Sequence, residues 1–305
     1  MGFVSGIGML NVDLLYSGME RIPNEGEELF SKGFDVQLGG GMPATLINLA
    51  RLGIPTEFCT FLGKDIFSNF IKEQLEHYSA KYHNLYRGNG TPLTITSIVT
   101  TKSDRTFISY CDDSCLNEVG NDEIYQNLKG SKIVDMQIGF LEVYKKLKKD
   151  GAKLVFDMGW DDDMSLEKYS EYLELADYYT PNQKEALRIT NTSNVQDAAD
   201  KLKRYFKQVV IKLDKDGCFY TDGEAAYIVP PLDNVVAVDS TGAGDAFLSG
   251  FIYGLYHDYD IESAIRFGNI TGGTCVQGIG CLTKYVNEQE LLEIAKSCRE
   301  KIILN

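Results

Sequence analysis

The segment from residue 239 to residue 247 reads Asp-Ser-Thr-Gly-Ala-Gly-Asp-Ala-Phe, and apolar residues at helical spacing follow it directly. The small residues Gly242, Ala243 and Gly244 leave their backbone N–H groups open where a helix is predicted to begin. Such amides, together with the helix dipole, bind an anion. Asp245 follows in the first turn, where a carboxylate would repel a resting phosphate but could take a proton from an attacking hydroxyl. The pattern therefore favours phosphoryl transfer, with Asp245 as the base, over a simple capped turn.

This segment resembles the C-terminal signature of the ribokinase-like (PfkB-type) family of sugar and nucleoside kinases, in which Ser240 is usually Thr. Residues 39–44 (Gly-Gly-Gly-Met-Pro-Ala), which run into residues 49–53, resemble the N-terminal glycine signature of that family. The resemblance covers essentially the whole chain, from Gly6 to the helix after Asn287. It implies a kinase that uses ATP and Mg²⁺ to phosphorylate a primary hydroxyl of a small fructose-, ribose- or keto-deoxy-sugar-like carbohydrate.

The order of predicted elements indicates an α/β fold, since strand-like and helix-like patterns alternate for most of the length. We expect a single kinase domain over residues 1–305, with a mainly parallel central sheet between two helical layers. Strands at about residues 12–17, 29–38 and 94–110 break the alternation, and the last region reads as a hairpin around a turn at 102–104. The pattern alone allows either a small separate sheet or extra strands at the edge of the main sheet. The resemblance implies a β-sheet lid over the substrate, which would also form a homodimer contact.

Polar residues that could bind the acceptor follow the first strands. A carboxylate at the end of a strand can accept sugar hydroxyls, and Asn11 and Asp13 match the Asn-x-Asp of ribokinases. Gly39 and Gly40 would let the backbone approach the substrate closely. Arg105 begins the return strand of the hairpin, where a guanidinium could reach an acidic or phosphorylated substrate. A solvated turn arginine is an equally good interpretation of Arg105.

Two positions depart from the family pattern on the sugar side. Ala44 stands where the family usually has an Asn that touches the sugar, and Gly159 replaces the Asn of an Asp-x-Asn. Either Thr45 or Asn48 compensates for the first change, or the substrate lacks the matching hydroxyl. The resemblance therefore does not identify the sugar. The neighbouring Trp160 is expected to pack in the core, since aromatic side chains usually serve burial.

Two pairs of residues are candidate metal sites. Asn182 and Glu185 match the family's Asn-x-x-Glu, which is associated with Mg²⁺, and Mg²⁺ binding through water is compatible with its chemistry. The same spacing is also a helix-capping pattern. Asp239 and Thr241 lie where family members often bind K⁺. For Asp239, the alternative is a helix-entry carboxylate that holds backbone donors.

The resemblance also implies a nucleotide side of the site. Lys212 and Gly217 resemble the family's nucleotide-side strand and loop, although Asp214 stands where a Gly is usual. Asn269 falls where the family places a His or Asn beside the adenine. Gly280 lies in a loop that is expected to border the nucleotide.

Composition excludes several other classes of function. The chain has 305 residues, 44% of them hydrophobic, and a formal net charge of −14. Such acidity argues against nucleic acid or an anionic membrane as a partner, because both attract basic surface. No apolar run approaches the ~20 residues of a membrane span, and no signal-peptide pattern opens the chain. Seven scattered cysteines without a Cys-x-x-Cys pair indicate reduced thiols in a cytoplasmic protein rather than a zinc site.

Alternatives to a sugar kinase stay open at this stage. A nucleoside kinase of the same family is one, and a sugar- or nucleotide-binding relative without catalysis is another. The predicted lid favours a sugar over vitamin substrates, since lidless relatives phosphorylate pyridoxal and pyrimidines. A dinucleotide oxidoreductase is a third interpretation, but the Gly6-x-Gly8 turn lacks the third glycine and the following helix that the fingerprint requires.

Overall fold

A computed structural model describes residues 2–103, 105–117 and 119–304, so Asp104 of the predicted hairpin turn lies outside the described residues. The strands in chain order are β1 (Phe3–Ile7), β2 (Asn11–Ser17), β3 (Gly33–Leu38), β4 (Thr56–Thr60), β5 (Tyr82–Asn84), β6 (Thr94–Thr100), β7 (Arg105–Cys111), β8 (Ser131–Met136), β9 (Lys153–Phe156), β10 (Tyr178–Tyr179), β11 (Val209–Lys212), β12 (Cys218–Thr221), β13 (Ala226–Val229) and β14 (Ile302–Ile303). The α-helices are α1 (Met42–Arg51), α2 (Ile66–His77), α3 (Asn121–Leu128), α4 (Leu141–Lys149), α5 (Ser170–Leu175), α6 (Gln183–Thr190), α7 (Val195–Leu202), α8 (Ala243–Tyr256), α9 (Ile261–Cys275) and α10 (Glu288–Ser297).

The central sheet has six parallel strands in the order β10-β9-β8-β1-β4-β5. Its inner strands are short apolar runs that are buried on both faces, as parallel strands under helical layers must be. Two apolar cores lie on the two sides of this sheet. The predicted three-layer α/β/α fold with a mainly parallel central sheet is therefore confirmed. The carboxyl ends of β1, β8 and β9 meet at one edge of the sheet, where Gln137 follows β8 and Asp157 follows β9.

A second sheet, β11-β12-β13-β14, is antiparallel. It joins the central sheet through a parallel bridge between Asn182 and Lys212 and a 2.9 Å bond from the Lys212 amide to the Pro181 carbonyl. The sequence-based interpretation placed Lys212 on a strand, as β11 does, but did not anticipate β12, β13 and β14.

The strands that break the alternation form a sheet of their own, in the order β3-β2-β6-β7. Strand β2 pairs antiparallel with β3 and parallel with β6, and β6 and β7 form the hairpin. This four-stranded sheet replaces the alternative of extra strands at the edge of the main sheet. The predicted strand at 29–38 is too long, since β3 begins at Gly33. The register ends where Ser17 meets Gly33, so residues 29–32 have no strand opposite them, and Phe30 is 84% exposed.

Helix α8 lies in the middle of the molecule and is buried from Ala246 to its end. It packs closely on α9, because a Cβ at Gly250 would lie 2.4 Å from the Phe267 carbonyl oxygen and one at Gly254 would lie 2.6 Å from Ala264. Glycines thus let two backbones touch, and this fixes the direction in which the N-terminus of α8 points. Within the described residues, no helix combines the length and the apolar character that a bilayer crossing requires.

Candidate active site

The first turn of α8 presents backbone amides rather than a side-chain cap. Gly242 caps the helix in the left-handed conformation with φ 75°. There is no room for a side chain at this position, since a Cβ would lie 2.1 Å from Cys281. Only glycine satisfies both constraints. The Ala243 amide lies 3.3 Å from the Ser240 carbonyl, whereas the amides of Gly242 and Gly244 donate to no protein acceptor among the described residues. These two amides are therefore the open donors of the predicted anion site, and Ala243 contributes less than expected.

Asp245 lies where the N-termini of two helices meet. Its Oδ2 accepts a 2.9 Å bond from the amide of Gly41, the N-cap of α1, and a Cβ at Gly40 would lie 2.5 Å from the same oxygen. The two glycine segments of the sequence thus converge on one partly exposed carboxyl. Burial raises the pKa of Asp245 to about 7, although the Gly41 bond opposes the shift. A carboxyl with that pKa can accept and release a proton near neutral pH.

Asn11 and Asp13 lie next to each other on β2. The Asn11 side-chain nitrogen donates to Asp13 Oδ1 at 2.7 Å, and Asn11 Oδ1 accepts from the Thr96 hydroxyl of β6 at 3.2 Å. Gly39 leaves room for the Asn11 and Asp13 side chains, since a Cβ at this position would lie 2.4 Å from Asn11 and 2.9 Å from Asp13. Asp13 is only 4% exposed, and burial raises its pKa to about 6. Asp13 also repels the negative charges of Asp245 and Asp239, which places it on the same side of the site as both.

Arg105 does not point into open space for a substrate. Its Nη1 donates to Asp239 Oδ1 at 2.9 Å and to the Thr241 hydroxyl at 2.5 Å, and its Nη2 donates to the Ser240 hydroxyl at 2.8 Å. The hypothesis of a substrate-binding arginine is therefore not what the structure favours. Arg105 instead binds the segment that leads into α8.

Asp239 is likewise engaged through both carboxylate oxygens. Oδ1 accepts from the Thr241 amide at 3.0 Å, and Oδ2 accepts from the Gly280 amide at 2.9 Å. Burial would favour the neutral acid, but the bonds from Gly280 and Thr241 and the charge of Arg105 hold the pKa of Asp239 below its usual value. A guanidinium thus lies against the carboxylate where the K⁺ ion was expected. The alternative interpretation, a helix-entry carboxylate that holds backbone donors, describes Asp239 correctly.

Lys212, at the end of β11, lies beside the open amides of α8. A Cβ at Gly244 would be 3.5 Å from its Nζ. Its positive charge lowers the pKa of three carboxyls that burial otherwise raises, namely Asp157, Glu185 and Asp245. Sequence reasoning assigned Lys212 to the nucleotide side; the structure places its ammonium among the carboxyls.

Asn182 and Glu185 form a capping box at the start of α6. Asn182 Oδ1 accepts from the Glu185 amide at 3.0 Å, and Glu185 Oε2 accepts from the Asn182 amide at 2.8 Å. The helix-capping interpretation of this spacing is therefore correct, and it does not remove Glu185 from the site. Glu185 is 8% exposed, and its interactions with Lys212 and Asp157 place it on the same side as the anion site.

Asp135, at the carboxyl end of β8, was not identified from the sequence. It is fully buried, its Oδ1 accepts from the Gln137 side chain at 2.7 Å, and its Oδ2 has no hydrogen-bond partner among the residues that the structure describes. Burial, and next the negative charge of Asp157, raise its pKa well above the usual value and so favour the protonated acid. The signal in the sequence is a single acidic residue in the apolar run Ile-Val-Asp-Met at 133–136.

The remaining predicted nucleotide residues take part in local backbone contacts. Gly217 has φ 90°, and a Cβ there would lie 2.2 Å from the Val229 carbonyl oxygen. The Asn269 side chain donates to the carbonyls of Val229 and Pro230 at 3.0 and 2.9 Å. The Gly280 amide donates to Asp239 Oδ2 at 2.9 Å, and a Cβ at Gly280 would lie 1.7 Å from the side-chain oxygen of Gln37.

The two residues that could compensate for Ala44 both have hydrogen-bond partners within the protein. The Thr45 hydroxyl donates to the Asp245 carbonyl at 3.3 Å, and Asn48 Oδ1 accepts from Arg51 at 2.9 Å. Both side chains are buried beside the fully buried Ala44. The expectation that Trp160 packs in the core is wrong: it is 56% exposed and donates to Asp162 at 2.8 Å.

The chain matches the pfkB family of carbohydrate kinases over residues 7–288. It is 27% identical to the ribokinase of Lactococcus lactis subsp. lactis over 289 residues, which cover 91% of this chain and 91% of that protein. It is 25% identical to the 5-dehydro-2-deoxygluconokinase of Clostridium tetani over 333 residues, which cover 97% and 93% of the two chains.

A solved structure shares the fold. The ribokinase of Arabidopsis thaliana, complexed with ribose and ATP, has a TM-score of 0.75 and 24% identity, covering 97% of this chain and 99% of that one. The sequence-based resemblance to ribokinase-like kinases is thereby confirmed. The chain belongs to the pfkB family of carbohydrate kinases and is a phosphotransferase that acts on a sugar.

Proposed function

We propose that the protein transfers the γ-phosphoryl group of ATP to a primary hydroxyl of a small carbohydrate, with Asp245 as the general base. The observation that carries this proposal is the position of Asp245 between the amides of Gly41 and the first turn of α8. Its pKa of about 7 suits a group that must take a proton from an alcohol near neutral pH.

The acceptor would lie against the four-stranded sheet. Asn11 and Asp13 are joined by a 2.7 Å bond and fixed by Thr96, so they offer a preorganised amide and carboxylate for sugar hydroxyls. Gly39, which has no side chain, lets both of these groups lie against the backbone. With the acceptor held there, its hydroxyl oxygen faces the carboxyl of Asp245.

The transfer then follows from the charges. The acceptor oxygen bonds to the γ-phosphorus, its proton passes to Asp245, and the bond from that phosphorus to the leaving ADP oxygen breaks. The amides of Gly242 and Gly244 and the ammonium of Lys212 stabilise the negative charge on the transferred group. Because Asp245 must be ionised to act, we expect activity to rise with pH through about 7.

Residues on the β11 side fit Mg²⁺ and ATP. Mg²⁺ prefers few carboxylate ligands together with water and phosphate oxygens. Glu185 uses Oε2 for its capping bond and, with Asp157, supplies carboxylates beside Lys212. When bound, Mg²⁺ neutralises phosphate charge. The ATP base would lie toward Asn269 and the glycines Gly217 and Gly280.

The substrate class rests on the relatives and on the sheet. The relatives include a ribokinase and a 5-dehydro-2-deoxygluconokinase, and both names describe kinases of sugars. A nucleoside kinase is the second candidate within the family. Ala44 removes one expected sugar contact, so we infer a substrate that lacks the hydroxyl which the family's Asn would bind.

The test is a panel of acceptors. Purified protein is incubated with ATP, Mg²⁺ and each of ribose, fructose, 2-keto-3-deoxygluconate, tagatose 6-phosphate and adenosine, and both ADP and phosphorylated product are measured. Saturable product formation with one sugar supports the proposal. Saturable sugar binding without product, measured by calorimetry, would support a binding protein without catalysis and would contradict it.

We also propose that the four-stranded sheet forms a homodimer contact. Strand β7 is an open edge, and its side chains Phe107, Ile108 and Tyr110 are each more than half exposed. An exposed edge strand with apolar side chains is a site for association. Light scattering of the wild type and of Ile108→Asp tests this, and a wild-type monomer at high protein concentration would refute it.

A further inference from the structure

A single guanidinium connects the four-stranded sheet to the entrance of α8. Arg105 is the first residue of β7, and its partners Asp239, Ser240 and Thr241 lie 134 to 136 residues further along the chain. The Arg105 and Asp239 side chains are 26% and 12% exposed, so water screens this pair less than an ordinary surface pair. The interaction is built from two nitrogens and three separate acceptors.

The partners of Arg105, residues 239–241, directly precede the open amides of Gly242 and Gly244. Asp239 holds the Thr241 amide and the Gly280 amide through its two oxygens, and Gly242 begins the left-handed turn into α8. A shift of residues 239–241 would therefore move the amides of Gly242 and Gly244, because no flexible segment lies between them.

The near end is joined to the proposed acceptor residues. In the register, Asp13 of β2 lies opposite Thr96 of β6, and Thr96 lies opposite Ser109 of β7. The Thr96 hydroxyl bonds both Asn11 and Ser109, at 3.2 and 3.1 Å, across the three strands. Arg105 thus anchors the same sheet that carries Asn11 and Asp13.

We propose that Arg105 is a positioning residue for phosphoryl transfer: it sets the distance between the acceptor on the sheet and the amides at the start of α8. This inference rests on the proposed kinase function. It predicts that Arg105 affects the rate of transfer between two bound substrates rather than the binding of ATP. Misplacement by about 1 Å costs on the order of 10²-fold in rate, and Arg105 is the group that prevents it.

The experiment compares Arg105→Ala and Arg105→Lys with the wild type, using the best acceptor from the panel. For Arg105→Ala we expect kcat to fall about 10²-fold and KM for ATP to change by less than about twofold. Lysine keeps the charge but cannot make the three bonds, so we expect it to restore only part of the rate. Ser240→Ala, which removes the Nη2 acceptor alone, should lower kcat less than Arg105→Ala.

Two readouts separate positioning from a purely structural role. Millimolar guanidinium, well below denaturing concentrations, should raise the kcat of Arg105→Ala but not that of the wild type. The ratio of ADP released to sugar phosphate formed should also rise in Arg105→Ala, because a loosely held acceptor lets water compete. The matched control is Arg21→Ala, which removes an exposed arginine paired with Glu27 at 2.5 Å and should leave kcat unchanged.

The outcomes distinguish the two proposals. If the wild type forms no sugar phosphate with any acceptor, the proposed function fails. If the wild type is active and Arg105→Ala has the same kcat and the same ADP-to-product ratio, the positioning role is overturned. The positioning role is also overturned if the lower kcat of Arg105→Ala is accounted for by a smaller fraction of folded protein, measured by thermal unfolding. In that case guanidinium would not restore the rate, and Arg105→Lys and Ser240→Ala would have normal rates.

Discussion

Replacing Asp245 by Asn should stabilise the ligand-free protein and abolish its turnover. Burial raises the pKa of this carboxyl from 3.8 to about 7 in the folded protein. Between those pH values the unfolded chain has released its proton and the folded chain has not. The free energy of unfolding therefore falls as the pH rises from about 4 to about 7, and the loss is complete above the folded pKa.

The magnitude follows from the size of the shift. About three pKa units at about 1.4 kcal/mol each correspond to roughly 4 kcal/mol, and the partial exposure of Asp245 reduces this to about 2–4 kcal/mol. Asparagine does not titrate, and its Oδ1 can still accept the bond from the Gly41 amide. Asp245→Asn should therefore be more stable than the wild type by about 2–4 kcal/mol at pH 8, with a smaller difference at pH 5.

The same substitution removes the proposed proton acceptor. General-base catalysis contributes about 10²–10⁴-fold, so we expect kcat to fall at least about 10²-fold while the sugar still binds. The assays are urea unfolding at pH 5 and pH 8, product formation over time, and calorimetric binding of the acceptor. Asp113→Asn, at an exposed position after β7, is the matched control and should change neither property.

Two results would refute this reasoning. Normal turnover by Asp245→Asn would remove Asp245 from the chemistry. If Asp245→Asn is less stable than the wild type at pH 8, and the slope of its unfolding free energy against urea concentration is unchanged, then burial does not raise the pKa of this carboxyl as argued.

Three further predictions concern the surrounding groups. Lys212→Met should move the midpoint of the kcat/KM–pH profile above that of the wild type, because the Lys212 charge lowers the pKa of Asp245; Lys212→Arg should keep the wild-type midpoint. Asp13→Asn should raise KM for the acceptor about tenfold or more, since hydrogen bonds to charged groups contribute about 1.5–3 kcal/mol, and an unchanged KM would place the sugar elsewhere. Asp135→Asn should reduce the decline in unfolding free energy between pH 5 and pH 8, because the pKa of this buried acid is higher in the folded than in the unfolded chain. Urea midpoints at both pH values measure the decline. An equal decline in the variant and the wild type would contradict the prediction.

Sequence alone could predict the parts of the site that local chemistry determines. The small residues before Asp245 predicted a helix start with open amides, and the alternation of elements predicted the parallel sheet. The glycine at 242 could be expected to adopt a positive φ, as it does. What the pattern could not predict is the partner of Gly40 and Gly41, because their contact with Asp245 spans 204 residues in the chain.

The same limit applies to Arg105 and Asp239, which the sequence-based interpretation assigned to a substrate and to a K⁺ ion. Each residue suits its expected role by type, since a guanidinium binds anions and a carboxylate binds cations. The tertiary fold brings them within 2.9 Å, and each then satisfies the other. Asp135 was missed for a related reason: its importance depends on complete burial beside Asp157, which a strand pattern does not reveal.

Lys212 lies among carboxyls whose pKa is raised by burial. Burial raises the pKa of Asp13, Asp157, Asp245 and Glu185 together, so the folded protein holds more acid than its local positive charge can balance. Lys212 opposes this imbalance, because its positive charge lowers the pKa of Asp245 and so favours the ionised form, which can accept a proton. In the proposed mechanism, one ammonium therefore both stabilises the transferred group and keeps the base ionised.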